Sequence, residues 1–252
     1  VRLYLASTSP ARLATLRAAG IEPILLSSGV DEEAAVAAAG PLTAPEMVLL
    51  LARLKAEAVI DRDVDGSPID GFILGGDSAF EFDGAIYGKP HLPSVARERW
   101  LAQRGREGLL HSGHWLIDHR AGGTEDATVP EDATFPEDAT FPEDATVPEV
   151  LEGAPSTSSG TGHSASAYSA TGAVSTARVR FASSITEREI DDYIATGEPL
   201  EVAGAFTIDS MGGAFIQEID GDPHAVVGLS LATLRELLLE FDVHWPDLWN
   251  RA

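Results

Sequence analysis

A six-residue repeat sets how much of this chain can enter a folded core. Pro130-Glu-Asp-Ala-Thr-Phe135, Pro136-Glu-Asp-Ala-Thr-Phe141 and Pro142-Glu-Asp-Ala-Thr-Val147 follow one another without a break. A Ser/Gly/Thr/Ala run from Ala154 to Gly172 comes next. Proline at every sixth position removes backbone donors and blocks a regular helix or a central strand. The apolar side chains left over are too few to offset the entropy of ordering the backbone. Residues 121–173 hold ten carboxylates and neither Lys nor Arg. This segment reads as a slipped coding repeat in an exposed loop, a low-complexity, disordered insertion, rather than as an acidic interaction tail or a cation-binding tract, because loops accept long insertions at modest entropic cost. The remaining 199 residues of the 252 fit one domain.

The charge outside the insertion is still acidic, with 30 Asp and Glu against 17 Lys and Arg. Such a molecule repels nucleic acid and anionic membranes in the far field, so neither is an expected partner. A phosphate-bearing ligand has to be met by a local positive site. The chain has no Cys, which excludes disulfides, thiolate-bound metals and thiol nucleophiles. No signal-like start and no stretch of about 18 apolar residues is present, so a cytoplasmic protein is expected.

The rest of the chain alternates strand-like and helix-like patterns, which argues for an α/β fold. Strands are expected at Leu3–Ala6, Ile24–Leu26, Gly71–Phe82, Trp115–Ile117, Ala177–Phe181, Ala205–Ile208 and Ala214–Ile216. Helices are expected at Ala11–Ala19, Ala44–Ile60, Ser94–Gln103, Thr186–Ala195 and Leu229–Phe241. Ser9 suits an N-cap, Pro10 the first helical position, and Thr186-x-x-Glu189 a capping box.

Four groups of residues invite a chemical reading. In Ser7-Thr8-Ser9-Pro10-Ala11-Arg12 a strand runs into a hydroxyl-rich loop and then a helix N-terminus, where free N–H groups and Arg12 can hold an anion. Ordinary capping explains the same residues, and on this stretch alone it is the better account. Arginines number fifteen and lysines two, Lys55 and Lys89. Under so strong a bias a surviving lysine marks a place where a compact ammonium fits and a guanidinium does not, or survives by chance on the surface. In Gly75-Gly76-Asp77-Ser78 a carboxylate stands inside a strand beside two glycines. That suits metal coordination or water activation better than a turn. His111, His114 and His119 do not form a ligand set, because residues 111 and 114 face opposite sides of a strand. No phosphate-loop or dinucleotide-fingerprint pattern is present.

Taken together these stretches resemble the Maf family of nucleoside triphosphate pyrophosphatases. The resemblance rests on Leu5-Ala-Ser-Thr-Ser-Pro-Ala-Arg12, Leu51-Ala-Arg-Leu-Lys-Ala56, Ile73-Leu-Gly-Gly-Asp-Ser78 and Gly84-Ala-Ile-Tyr-Gly-Lys-Pro90, with Ala195-Thr-Gly-Glu-Pro-Leu200, Ala203-Gly-Ala-Phe206 and Val226-Val-Gly-Leu-Ser-Leu231 following in order. It implies a single α/β catalytic domain over 1–252, built on a long twisted mixed sheet with flanking helices and a cleft between two lobes. It implies hydrolysis of the α–β phosphoanhydride of non-canonical or surplus nucleoside triphosphates to monophosphate and pyrophosphate, with Mg2+ or Mn2+. Carried over by position, Ser7, Ser9, Arg12, Lys55 and Lys89 face the triphosphate, Asp77 is the general base or a metal ligand, and Glu32 lies near the metal. Both lysines falling on motif positions makes chance survival the weaker account.

Two positions depart from the pattern. Ala11 stands where many members have a second Arg, and Asp209 stands where pyrimidine-preferring members have Gln. Asp209 is therefore counted with the substrate-binding residues, and the base preference stays open. The competing reading is a nucleotide-binding regulator of septum formation that needs no turnover. The expected assembly is a monomer or homodimer, with the aromatic end from Phe241 to Trp249 packed on its own domain.

Overall fold

The computed structural model describes residues 1–120 and 168–250. The expected insertion therefore lies outside the described residues, except for its last few positions, which belong to a strand. The strands are β1 (Leu3–Ala6), β2 (Ile24–Leu25), β3 (Asp63–Val64), β4 (Ser67–Pro68), β5 (Gly71–Phe82), β6 (Ala85–Tyr87), β7 (Glu107–His119), β8 (Ser169–Phe181) and β9 (Ile216–Asp220). The α-helices are α1 (Pro10–Ala18), α2 (Glu32–Ala39), α3 (Ala44–Glu57), α4 (Pro93–Gln103), α5 (Glu187–Ala195), α6 (Pro223–Val227) and α7 (Leu231–Leu239). Seven strands form one mixed sheet in the order β2-β1-β5-β7-β8-β9, with β6 also pairing β5, while β3 and β4 make a separate hairpin. β1 pairs in parallel with β2 and β5, and the other pairs are antiparallel.

Three long strands, β5, β7 and β8, run through two core regions, the first divided between the two faces of the sheet. In the first half, alternation sends Leu3, Leu5, Phe72, Leu74 and Leu116 to one face, under α1 and α7. Tyr4, Ala6, Ile73 and Ile117 go to the other, under α3. In the second half Phe80, Phe82 and Phe181 pack with Trp100 of α4 and Ile190, Tyr193 and Ile194 of α5. Trp100 is the hub there. Its ring meets Phe181, Tyr193 and Phe215 edge-on, and its indole N–H donates to the Ala205 carbonyl at 2.8 Å. The two apolar cores meet at Gly75-Gly76-Asp77-Ser78, where the side chains are small or polar.

Local rules set the boundaries that matter. Ser9 caps α1 and Pro10 opens it. Thr43 with Glu46 and Thr186 with Glu189 form reciprocal capping boxes on α3 and α5. The aromatic end packs at home: Phe241 lies 5.5 Å from Phe72, and Trp245 and Leu248 join the first core.

Several expectations are corrected. Asp31-Glu32-Glu33, given no helix above, is the start of α2, with Asp31 as its N-cap. The expected strand Trp115–Ile117 is the end of the thirteen-residue β7. Residues 169–173, assigned above to the insertion, begin β8. The expected strand Ala205–Ile208 is instead a 3-10 turn, Ala203–Ala205, running into loop. Ala214–Ile216 mostly belongs to a second such turn, Met211–Phe215, with β9 starting only at Ile216.

Candidate active site

The register of β5 leaves a gap in the sheet. Along one edge, β7 pairs β5 from Gly71 to Glu81. Along the other, β1 covers Phe72 to Gly75 and β6 covers Phe80 to Phe82. Residues 76–79 have no strand partner on that second edge. β1 and β6 approach the gap from opposite directions, so the Ser7–Ser9 loop leaves β1 at one side and Gly88-Lys89 leaves β6 at the other. β6 ends at Tyr87, opposite Phe80, and Lys89 follows two residues later in the loop. A strand end that opens beside an unpaired stretch of sheet is where α/β folds place ligands.

Alternation on β5 assigns its polar residues to opposite faces. Gly75 and Asp77 face α3. A Cβ at Gly75 would stand 2.0 Å from the Ala52 carbonyl oxygen, and one at Gly113, the β7 partner of Asp77, 2.3 Å from that of Val48. The two glycines let the α3 backbone settle directly on the sheet. That close approach carries Lys55, in the last turn of α3, to the Asp77 carboxylate. Lys55 Nζ donates to Asp77 Oδ1 at 2.6 Å and lies 2.7 Å from Glu32 Oε1, in the first turn of α2. Lys55 and Asp77 are each less than a tenth exposed, whereas Glu32 is open to solvent.

Gly76 and Ser78 face α1. The Arg12 guanidinium lies against Gly76 and is buried. Its Nε donates to the Gly228 carbonyl at 2.8 Å, one Nη to Ser7 Oγ at 3.1 Å and the other to Ser78 Oγ at 3.0 Å. Three of its five donors are thus committed within the chain, and one N–H on each Nη stays available. Ser9 Oγ accepts from the Arg12 backbone N–H, and Ser7 Oγ from that of Ser9.

The electrostatics follow from burial and neighbours. Desolvation raises the pKa of Asp77, against the pull of Lys55 and Arg12, while the charge of Glu32 adds to the rise. Burial also lowers the pKa of Arg12, opposed by Asp77 and Glu32, but from a value so high that the cation persists. Two cations and two carboxylates thus flank one stretch of β5, Arg12 on one face and Lys55, Asp77 and Glu32 on the other, near enough for Arg12 to act on the Asp77 charge.

Six of the residues singled out from sequence converge here: Ser7, Ser9, Arg12, Glu32, Lys55 and Asp77. Lys89 lies in the loop that follows β6 and is exposed, with no hydrogen bond or ion pair to a described residue. Asp209 is exposed too, in the loop between the two 3-10 turns, and bonds to none of the described residues. Sequence reading passed over Ser78, Ser112 and the Gly228 carbonyl. Ser78 and Gly228 stood inside motifs that were noticed, while Ser112 gave no local signal. Among the histidines, His114 is fully buried, its Nε2 accepting the Ser230 backbone N–H at 2.8 Å. Burial and the nearby Arg12 charge push its pKa down to about 4. His111 points to the other face and bonds to Thr176 and Glu81.

Glu32 and Asp77 supply hard carboxylate oxygens converging on one ammonium. Two carboxylates that leave the remaining positions to water and substrate phosphates suit Mg2+ or Mn2+. Among the described residues no cluster of three or more His, Asp or Glu forms a metal-binding set. No helix among the described residues is long and apolar enough to cross a membrane.

Comparison with known proteins converges on one family. The family model described as Maf-like protein matches residues 2–141 and 151–241. A protein of Leifsonia xyli subsp. xyli named nucleoside triphosphate pyrophosphatase is 56% identical over 256 aligned residues, covering 100% of this chain and 98% of its own length. Proteins of the same name from Salinispora tropica and Saccharopolyspora erythraea are 42% and 40% identical. The alignments cover 100% and 99% of this chain and 89% and 98% of those proteins.

Proposed function

The chain belongs to the Maf family, and from that premise we propose that it is a nucleoside triphosphate pyrophosphatase, cleaving the α–β phosphoanhydride to release a nucleoside monophosphate and pyrophosphate. The observation that carries this reading is the Lys55 ammonium held between Asp77 and Glu32, beside the half-satisfied Arg12 guanidinium, at the gap in the sheet edge.

A triphosphate is strongly anionic and this molecule carries a net charge of −23, so binding depends on the few cations gathered at the gap. Arg12 offers its two free N–H groups to phosphate oxygens, and the Ser7–Ser9 loop adds hydroxyls at the start of α1. Lys55 meets the phosphates as a compact charge, and Lys89, on the far side of the gap, closes on the same anion as an expected substrate contact. Asp77 accepts the proton of the attacking water. Desolvation raises its pKa, which makes its carboxylate a stronger base than an ordinary one, and the Lys55 ammonium opposes that rise. Glu32 and Asp77 are the residues that would hold Mg2+ or Mn2+, which when bound neutralises charge on the phosphates and on the departing pyrophosphate. Asp209 would face the base and contribute to selecting it. The net charge of −23 disfavours nucleic acid, and the enzyme is expected to act on free nucleotides in the cytoplasm.

The experiment is a measurement of pyrophosphate release from a panel of canonical and modified nucleoside triphosphates with Mg2+ or Mn2+. Release of pyrophosphate together with the monophosphate is expected. Binding without turnover across the panel would replace this reading with that of a nucleotide-binding regulator, and release of orthophosphate would refute cleavage at the α–β bond.

A further inference from the structure

A chain of hydroxyls runs from the Arg12 guanidinium to the short helix α6. Ser78 Oγ accepts from Arg12 Nη at 3.0 Å and lies 2.9 Å from Ser112 Oγ, which donates to the Ala225 carbonyl at 2.7 Å. A serine hydroxyl carries one proton. The proton of Ser112 is committed to Ala225, so in the central bond Ser78 donates and Ser112 accepts. Every link then points the same way, from guanidinium to Ser78, to Ser112, to the carbonyl. Ser78 is fixed as an acceptor toward Arg12 because its own proton is drawn away by Ser112.

The same short helix holds Arg12 a second time. Gly228 ends α6 in a left-handed conformation, φ 113°, and its carbonyl takes the Arg12 Nε–H. A Cβ there would crowd Ser78 Oγ at 3.3 Å, in a backbone conformation that L side chains rarely adopt. Ala225 and Gly228, three residues apart, therefore hold the guanidinium at two of its nitrogens, one directly and one through the two serines. The β7–β5 register, Ser112 opposite Ser78, sets the relay in place. Ser112 is fully buried.

We infer that Ser112 is a positioning residue for the triphosphate: acting through Ser78, it fixes the plane of the Arg12 guanidinium so that the two remaining N–H groups present a set geometry to phosphate oxygens. It touches no substrate. With the hydroxyl removed, Ser78 regains a free rotor and Arg12 loses one of its three anchors. The inference rests on the proposed pyrophosphatase reading for its role in catalysis, though not for the relay itself.

The test is a double-mutant cycle of Ser112→Ala and Ser78→Ala, followed by pyrophosphate release and by 15N NMR of the Arg12 side chain. Each single variant is expected to lose about tenfold in kcat/KM, mostly through KM, from a misdirected phosphate contact. The double variant is expected to lose no more than the larger single, since both act through one group. Rotation about the Arg12 Cζ–Nη bond should be hindered in the native protein and freed in Ser112→Ala. Ser112→Cys, similar in shape but a weak donor, carries the same comparison if the alanine variant does not fold. Independent, multiplying losses in the cycle, or Ser112→Ala activity within about twofold of native with unchanged guanidinium rotation, overturn the inference. If the native protein releases no pyrophosphate yet guanidinium rotation still responds to Ser112, the functional reading fails while the relay stands.

Discussion

Two carboxylates each gather the groups around them, and they are held in opposite ways. Asp77 sits buried at the junction of the two cores, and the hydrogen bond fixing it comes from the Lys55 ammonium, which Glu32 shares. Glu198 lies nearer the surface of the second core and accepts from the Tyr193, Thr207 and Ser210 hydroxyls and from the backbone N–H groups of Met211 and Gly212. Burial raises the pKa of Asp77. At Glu198 burial acts in the same direction, but the surrounding hydrogen bonds outweigh it and bring the pKa down to about 2. A carboxylate encircled by neutral donors is locked in its charged form and serves as a template for the backbone. One buried beside cations, with few donors, keeps a tunable proton affinity. The first arrangement suits structure and the second suits chemistry.

The comparison breaks most visibly at Asp77. Asp77→Asn keeps the shape, removes the charge and should lower kcat by about 10²- to 10⁴-fold, as loss of a general base does. Lys55 keeps Glu32 as a partner in this variant, so the melting temperature should change less than in a variant that removes the cation. A variant with near-native turnover at saturating metal would remove Asp77 from the chemistry and erase the contrast with Glu198.

Removing the cation sharpens the same contrast. Lys55→Met leaves the Asp77 carboxylate buried without its main counter-charge, and breaking a buried pair from one side costs about 3 kcal/mol or more. The Asp77 carboxyl resonance should titrate at a higher pH in the variant, since Lys55 is the largest of the influences that lower its pKa. An unchanged titration would mean that burial alone sets Asp77.

At Glu198 the effect should fall on stability. Glu198→Gln keeps the size but gives up the charge-assisted bonds, at roughly 2 kcal/mol, read as a lower denaturation midpoint. Turnover per folded molecule should stay within about threefold of native, as expected for a group outside the chemistry. A large loss of kcat with intact stability would move Glu198 into the active site.

How much of this could be read in the chain depends on how local each cause is. The Ser9 cap, the Pro10 start and the Gly71–Phe82 strand follow from neighbouring residues, and all three were legible. β7 was read short because Gly108, His111, Ser112 and Gly113 interrupt its apolar pattern. Gly113 is there for the backbone of α3, and Ser112 for a carbonyl more than a hundred residues away. The strand expected over Ala205–Ile208 was a reasonable inference from four β-compatible residues. Glu198 overrides it by gathering Thr207, Ser210, Met211 and Gly212 around one carboxylate, and no periodicity carries that signal. The site was legible wherever Ser7, Arg12, Lys55 and Asp77 stood in recognisable motifs. Its depth was not, because Gly75 and Gly113 set it through contacts between distant segments.

The smallest expected effect is also the most specific, because the two carboxylates must give pH dependences of opposite sign. Glu198 has a folded pKa of about 2, below the ordinary glutamate value. Its stabilisation is complete above that ordinary value and is lost as the pH falls toward 2, so the native protein and Glu198→Gln should converge in melting temperature on acidification. Asp77 has a folded pKa above the ordinary aspartate value. Its contribution is present below the ordinary value and is lost as the pH rises to the folded one, so Asp77→Asn should gain on the native protein over that interval and hold the gain above it. Each is a linkage effect of one proton. Melting temperatures of the three proteins from about pH 3 to 8 would check both slopes. Parallel curves would mean that the proton affinities of the two sites do not differ in the folded state, and the division between a locked and a tunable carboxylate would fail at its physical root.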